Sequence, residues 1–161
     1  MQTTHQFNGQ EPFDAPREKI WEVLTDVHNV PQLLPNLKDA QFPSADLLSG
    51  KLASSFSFLH GELNLAIQIT DRERPTAAKM TVTVRGIGCR AVIHGSIDLP
   101  PSPTGPALLR WQAEAQLEGL LAAISKGLIE GAARSLVAST FEKIRTLMAP
   151  PSPGAPLSAD P

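Results

Sequence analysis

The chain has 161 residues, 42% of them apolar, one cysteine, and a formal charge of −2 from 14 Lys and Arg against 16 Asp and Glu. That length supports one core and is too short for two well-packed ones. The charge balance supplies no basic field for nucleic acid, so none is expected as a partner, and the lone Cys89 forms no intrachain disulfide.

No run of about eighteen apolar residues is present to span a bilayer, and the N-terminal stretch MQTTHQFNGQEPF lacks the basic and apolar regions of a secretory leader. The expected location is therefore cytoplasmic.

Residues 3–11 read as a first strand anchored by Phe7. Asp14-Ala15-Pro16-Arg17-Glu18 then reads as a helix start. There the Asp14 carboxylate can accept from an orphan first-turn amide, and Pro16 falls where a missing N–H costs little. Ile20, Trp21, Leu24 and Val27 give this helix its apolar side. His28-Asn29-Val30-Pro31 opens a second short helix or an ordered loop, which Pro35 stops.

From Leu37 onward the hydrophobic period is two. Phe42 anchors one strand, Asp46 to Gly50 reads as a turn region, and Leu52, Phe56 and Phe58 share a face of the next strand before a turn at His60-Gly61. Leu63, Leu65, Ile67 and Ile69 alternate with Glu62, Asn64 and Gln68 in the clearest half-buried pattern of the chain. Past Arg72–Pro75, Met80, Val82 and Val84 alternate with Lys79, Thr81, Thr83 and Arg85.

Gly86 and Gly88 mark a tight turn, after which Ile87, Cys89, Ala91, Ile93, Ile97 and Leu99 alternate with Arg90, His94 and Asp98. Cys89 is expected as a small buried hydrophobe, and His94 as part of an outward-facing polar ladder. Pro100 to Pro106 forms a rigid polar loop. Leu109, Trp111, Ala113, Ala115 and Leu117 then alternate with Arg110, Gln112, Glu114 and Glu118. About seven strands with hairpin-length connections, two short helices after the first strand and a long terminal helix make an α+β fold with a strongly curved antiparallel sheet.

The terminal helix is expected over Gly119–Met148, with Leu121, Ile124, Leu128 and Ala132 along its first buried side and Lys126, Glu130 and Arg134 along the solvated one. Past Gly131 the apolar series becomes Ala133, Val137, Phe141, Ile144 and Met148, so the buried side is expected to turn there. Gly127 and Gly131 stack on one face at a cost of roughly 1 kcal/mol each relative to Ala. Close backbone approach or room for a bulky ligand would each account for that cost. The domain is expected to span residues 1–148, followed by a disordered proline-rich tail over 149–161.

A sheet bent around a long helix diverges at one end and can enclose an apolar ligand. Such a site would be lined by Phe56, Phe58, Leu65, Ile67, Met80, Val82, Cys89, Ala91, Trp111, Leu121, Ile124 and Leu128, with Gly131 at its border. The alternative is that these residues fill their own core.

No His-Glu-x-x-His, Cys-x-x-Cys or Gly-Lys-Ser/Thr element occurs, His60 before its turn glycine is expected to face solvent, His5 and His28 show no ligand spacing, and no metal or cofactor is expected. The inward parity offers almost no ionisable side chains for acid–base work, so no catalytic residue is assigned and binding without chemistry is favoured.

Phe7-x-Gly9, Phe13-Asp14-Ala15-Pro16-Arg17-Glu18 with Trp21, Leu24 and Asp26, and Gly119-Leu120 through Gly131-Ala132-Ala133-Arg134 with Phe141 resemble the CoxG family of carbon monoxide dehydrogenase subunits. That family lies in the START-like, birch-pollen-allergen-like (SRPBCC) superfamily, and the resemblance runs over residues 5–148. Departures are Pro35-Asn36 in place of a Pro-Gly, a reduced glycine-rich middle at Arg85-Gly86-Ile87-Gly88, and a short proline-rich tail in place of a longer, membrane-interacting C-terminal region.

The resemblance implies a helix-grip fold with a hydrophobic cavity for a lipid- or quinone-like molecule. It also implies an accessory role toward a molybdenum hydroxylase of the carbon monoxide dehydrogenase type, with peripheral membrane contact left unsupported by the short tail. Two other readings stay open. One is a polyketide cyclase- or dehydratase-like enzyme with polar contacts from Asn29, Arg85 or Arg110 at a cavity mouth, and the other is a protein–protein accessory or assembly factor with a filled core.

Overall fold

The structure, a computed structural model, describes residues 2–34, 36–53, 61–86, 88–101 and 107–148. Pro35, Phe56, Phe58, His60, Ile87, most of the Pro100–Pro106 loop and the 149–161 tail, all named above, lie outside the described residues. The elements are β1 (Gln2–Phe13), α1 (Arg17–Leu24), a 3₁₀ turn (Val27–Asn29), α2 (Val30–Leu33), β2 (Leu37–Ser44), β3 (Leu47–Ala53), β4 (Glu62–Glu73), β5 (Ala77–Gly86), β6 (Cys89–Asp98), β7 (Ala107–Gly119), a second 3₁₀ turn (Leu120–Ala123) and α3 (Lys126–Met148). The strands form one antiparallel sheet in the order β1-β7-β6-β5-β4-β3-β2. The seven-stranded α+β helix-grip architecture read from the sequence is the one observed.

Strict alternation puts one side chain in two against the helices. Leu63, Leu65, Ile67 and Ile69 on β4 are all buried inward, between outward Glu62, Asn64 and Gln68. Register then carries the inner face across the sheet: Ile67 pairs with Val82, Val82 with Ile93, Ile93 with Ala115, and Ala115 with His5. Cys89 is buried, and His94 stands outward between Thr81 and Glu114.

Three local readings are corrected. The β2–β3 turn is only Ala45-Asp46, because Leu47–Gly50 already belong to β3 and Leu48 is fully buried. Phe42 anchors no core: it is 38% exposed and stacks on His28 with ring centroids 4.3 Å apart. Helix α1 is preceded by Pro16 as its N-cap, without a side-chain cap, and Asp14 stays exposed. The capping carboxylate is instead Asp26, which accepts from the His28 amide at 2.9 Å at the first 3₁₀ turn.

The long C-terminal segment is also not one helix. Gly119 has φ +70, and a Cβ there would fall 2.1 Å from the Gly88 carbonyl oxygen, so only glycine fits where β7 turns. Leu120–Ala123 form a 3₁₀ turn tied to that same oxygen by the Leu120 amide at 2.8 Å, and α3 starts afresh at Lys126.

Candidate functional site

The apolar interior is divided. One cluster, at one end, joins Phe13, Ile20, Trp21, Leu99 and Leu109 to Phe141, Ile144 and Met148 of α3. A second joins Val27 and Leu48 to Leu65, Ile67, Ile69 and Ala78, and a third joins Leu63, Cys89, Ala91, Ala115 and Leu117 to Leu121. Between them, the register aligns Met80, Gly95, Ala113 and Phe7 across β5, β6, β7 and β1. All four face inward and all are only half-buried. Val82, Ile93 and Trp111 beside this row are half-buried too. Small side chains at Gly95 and Ala113 leave the row shallow.

Helix α3 is fastened at its C-terminal half. Phe141 meets Phe13 edge-on at 5.9 Å between centroids and Trp111 at 6.3 Å. The Arg145 guanidinium donates to Glu11 Oε1 at 2.7 Å and lies over the Phe13 ring, and Lys143 reaches the Leu33 carbonyl at 3.4 Å. From Lys126 to Thr140 the helix buries no residue fully, and Ile129, Ala133 and Val137 are its half-buried positions in line with the anchors below. The buried side is thus one continuous stripe, Ile129–Ala133–Val137–Phe141–Ile144–Met148, and does not turn at Gly131.

Of the lining residues read from sequence, Leu65, Ile67, Met80, Val82, Cys89, Ala91 and Trp111 all lie on the inner face, and Leu121 and Ile124 pack at its end near the third cluster. Phe56 and Phe58 fall outside the described residues. Leu128 and Gly131 are corrected. Leu128 is 56% exposed, and Gly131 is exposed with no described atom within 4 Å of a Cβ built there, as at Gly127. Neither glycine borders a packed backbone among the described residues. The stripe at Ile129 takes the inward phase because the C-terminal anchors set it.

The polar guesses for a cavity mouth also move. Asn29 Nδ2 donates to the Val23 carbonyl at 3.0 Å and is committed to the helix turn. Arg110 pairs with Asp98 on the outer face, where Arg85 also stands. Sequence reasoning gave no inner-face place to the two ionisable groups that β1 turns inward, His5 and Glu11. Both share the parity of Phe7, which was the signal available. Glu11 is held by Arg145, whereas the His5 ring stacks near Phe7 at 6.5 Å between centroids.

Trp111 is set by a glycine opposite. Its indole lies across Gly9, with three ring atoms 2.9 Å from where a Cβ would stand. Its Nε1 is covered and has no hydrogen-bond partner among the described residues, whereas Trp21 Nε1 donates to the Ala77 carbonyl at 2.9 Å. Among the described residues no group of three His, Cys, Asp or Glu could hold a metal ion, and no helix is long and apolar enough to cross a membrane.

Solved structures with the same fold cover most of the chain. A conserved protein from Geobacillus kaustophilus superposes with a TM-score of 0.81 at 24% identity, over 89% of this chain and 94% of its own. Norcoclaurine synthase from Thalictrum flavum gives 0.67 at 15% identity (94% and 97%), and a START superfamily protein from Mycobacterium smegmatis 0.64 at 11% (89% and 96%). These identities speak for the fold alone. No curated protein matches the sequence. The profile of CoxG, a carbon monoxide dehydrogenase subunit, matches residues 9–149, most of the chain, and the protein belongs to the CoxG family.

Proposed function

We propose that this protein binds an apolar small molecule, lipid- or quinone-like, between α3 and the inner face of the sheet, without chemistry of its own. The observation that supports this most is the inward row Met80–Gly95–Ala113–Phe7, which water reaches although it lies on the core side of the sheet. A core filled for stability alone would close that row, since interiors pack to near-crystalline density. The overlying half of α3 buries nothing fully, so that part of the helix can give way to a guest at little cost.

The inner face is otherwise apolar. His5 and Glu11 are its ionisable members among the described residues, and Glu11 is already paired with Arg145. A binding role fits this lining better than a cyclase, whose general acid and base would need placement within hydrogen-bond reach of the reacting atoms. The family assignment supports an accessory place beside a molybdenum hydroxylase of the carbon monoxide dehydrogenase type, with the apolar molecule as what passes between them.

Ala113→Phe tests the reading. An open row accepts the ring with unfolding stability kept to within about 1 kcal/mol, whereas a filled core loses roughly 1–3 kcal/mol to overpacking. Binding of the fluorescent probe anilinonaphthalene sulfonate by the native protein should fall in the variant. A destabilised variant, or probe uptake unchanged by the added ring, would count against an inner binding space.

A further inference from the structure

The outer face carries a second, charged concavity. Across β3, β4 and β5 the register sets Lys51 opposite Asn64 and Asn64 opposite Arg85. The neighbouring row is built from Ser49, Ala66 and Thr83, all short. Strand β2 departs from regular pairing alongside, with register shifts on both sides of Gln41 and Asp39 in a left-handed backbone at φ +54. The short row becomes a floor and the cation row a wall, and they bound a groove of about 760 Å3.

The charges around this groove are set against one another. Arg85 stands opposite Arg90 across β5–β6, and Lys51 opposite Lys38 across β2–β3. Like charges directly opposed on a sheet face are destabilising. Arg90 is relieved by Glu118 at 3.2 Å, and Lys51 only loosely by Glu62 at 3.9 Å. Arg85 makes no ion pair among the described residues.

We propose that the groove binds an organic monocarboxylate, its carboxylate seated over Asn64 between Lys51 and Arg85. Two strand spacings separate the cations, roughly 9.5 Å at the backbone, a span both long side chains close on one group. The Arg85 fork matches the two carboxylate oxygens and the Asn64 amide supplies a further donor. Asp39 lines the same groove and Glu62 stands beside Lys51, so Lys38, Lys51 and Arg85 together leave one unit of positive charge, matched to a monoanion rather than a dianion. Ala66 gives the ligand's body an apolar contact.

The test uses the full chain labelled with 15N and titrated with sodium benzoate. Sodium chloride at equal ionic strength and benzyl alcohol serve as controls. Saturable shifts of the Arg85 Nε–H and the Asn64 side-chain amide are expected with benzoate alone. Arg85→Ala and Lys51→Ala should each weaken the affinity by roughly tenfold or more, the scale of a charge-assisted hydrogen bond. Arg85→Lys, which keeps the charge and loses the fork, should fall between. Both side chains stand on the outer face outside the core, so the variants should fold. Shifts that chloride reproduces, that never saturate, or that survive Arg85→Ala and Lys51→Ala overturn the proposal. Shifts confined to inner-face residues overturn it too, while leaving the apolar site intact.

Discussion

Replacing Gly127 and Gly131 together by alanine is expected to stabilise the protein. Gly131 lies inside α3 and Gly127 in its first turn, and a Cβ added at either meets no described atom within 4 Å. Among the described residues no packing penalty offsets the gain in helix propensity, which is roughly 1 kcal/mol for Gly→Ala in a helix interior and smaller in the first turn. The pair should contribute about 1–2 kcal/mol, and at this chain length that corresponds to a rise of about 2–8 °C in Tm. Thermal unfolding followed by circular dichroism reads the shift, with each single variant measured alongside to check that the two add. Probe binding should be unchanged, because both positions face away from the inner stripe. A fall in Tm, or none, would mean that something packs on this face, and the assignment of the stripe beginning at Ile129 would be wrong.

Gly9→Ala should act in the opposite direction. Its methyl would stand 2.9 Å from three indole atoms of Trp111, which is itself wedged beside Phe141, and overpacking of this kind costs about 1–3 kcal/mol in chemical denaturation. Stability unchanged in Gly9→Ala would show that the indole is free to move. Asp26→Ala should lower stability at neutral pH. The His28 amide, foremost, holds the Asp26 carboxyl below its ordinary 3.8, against a smaller opposing push from burial. A lowered folded-state pKa makes this contribution complete above that ordinary value and lost as pH falls through the folded one. Wild type and Asp26→Ala should therefore converge in acid, and a gap that persists at the lowest pH would contradict the cap.

Most strands were legible because one face is shielded and the period of two survives inspection, as at Leu63–Ile69, whereas β2 buries no residue. Leu47–Gly50 were misread for a local reason: Ser49 and Gly50 beside Asp46 look like turn chemistry, while the burial of Leu48 depends on the 3₁₀ turn at Val27, distant in sequence. In α3, Leu128 and Ile129 were both available to face inward. Counting back from Met148 through Ile144 and Phe141 to Val137 and Ala133 selects Ile129, so the phase was present in the sequence. The leucines at 128 and 136 masked it by placing large apolar side chains in solvent, at 56% and 49% exposure.

The inner lining was largely readable, because it follows strand parity once one anchor per strand is placed. The same parity put His5 and Glu11 inside with Phe7, and reading Phe7 only as an anchor left them unused. The outer groove was not readable in this way. It arises from the bulged path of β2 and from short residues falling into one row across β3, β4 and β5, which strand register alone determines.

Native mass spectrometry of freshly purified full-length protein tests the central claim most directly. The account predicts a co-purifying apolar mass that is retained in the folded protein, leaves on denaturation and is depleted in Ala113→Phe. Protein that is consistently empty, and that also excludes apolar probes in titration, would contradict it and make the inner face a core.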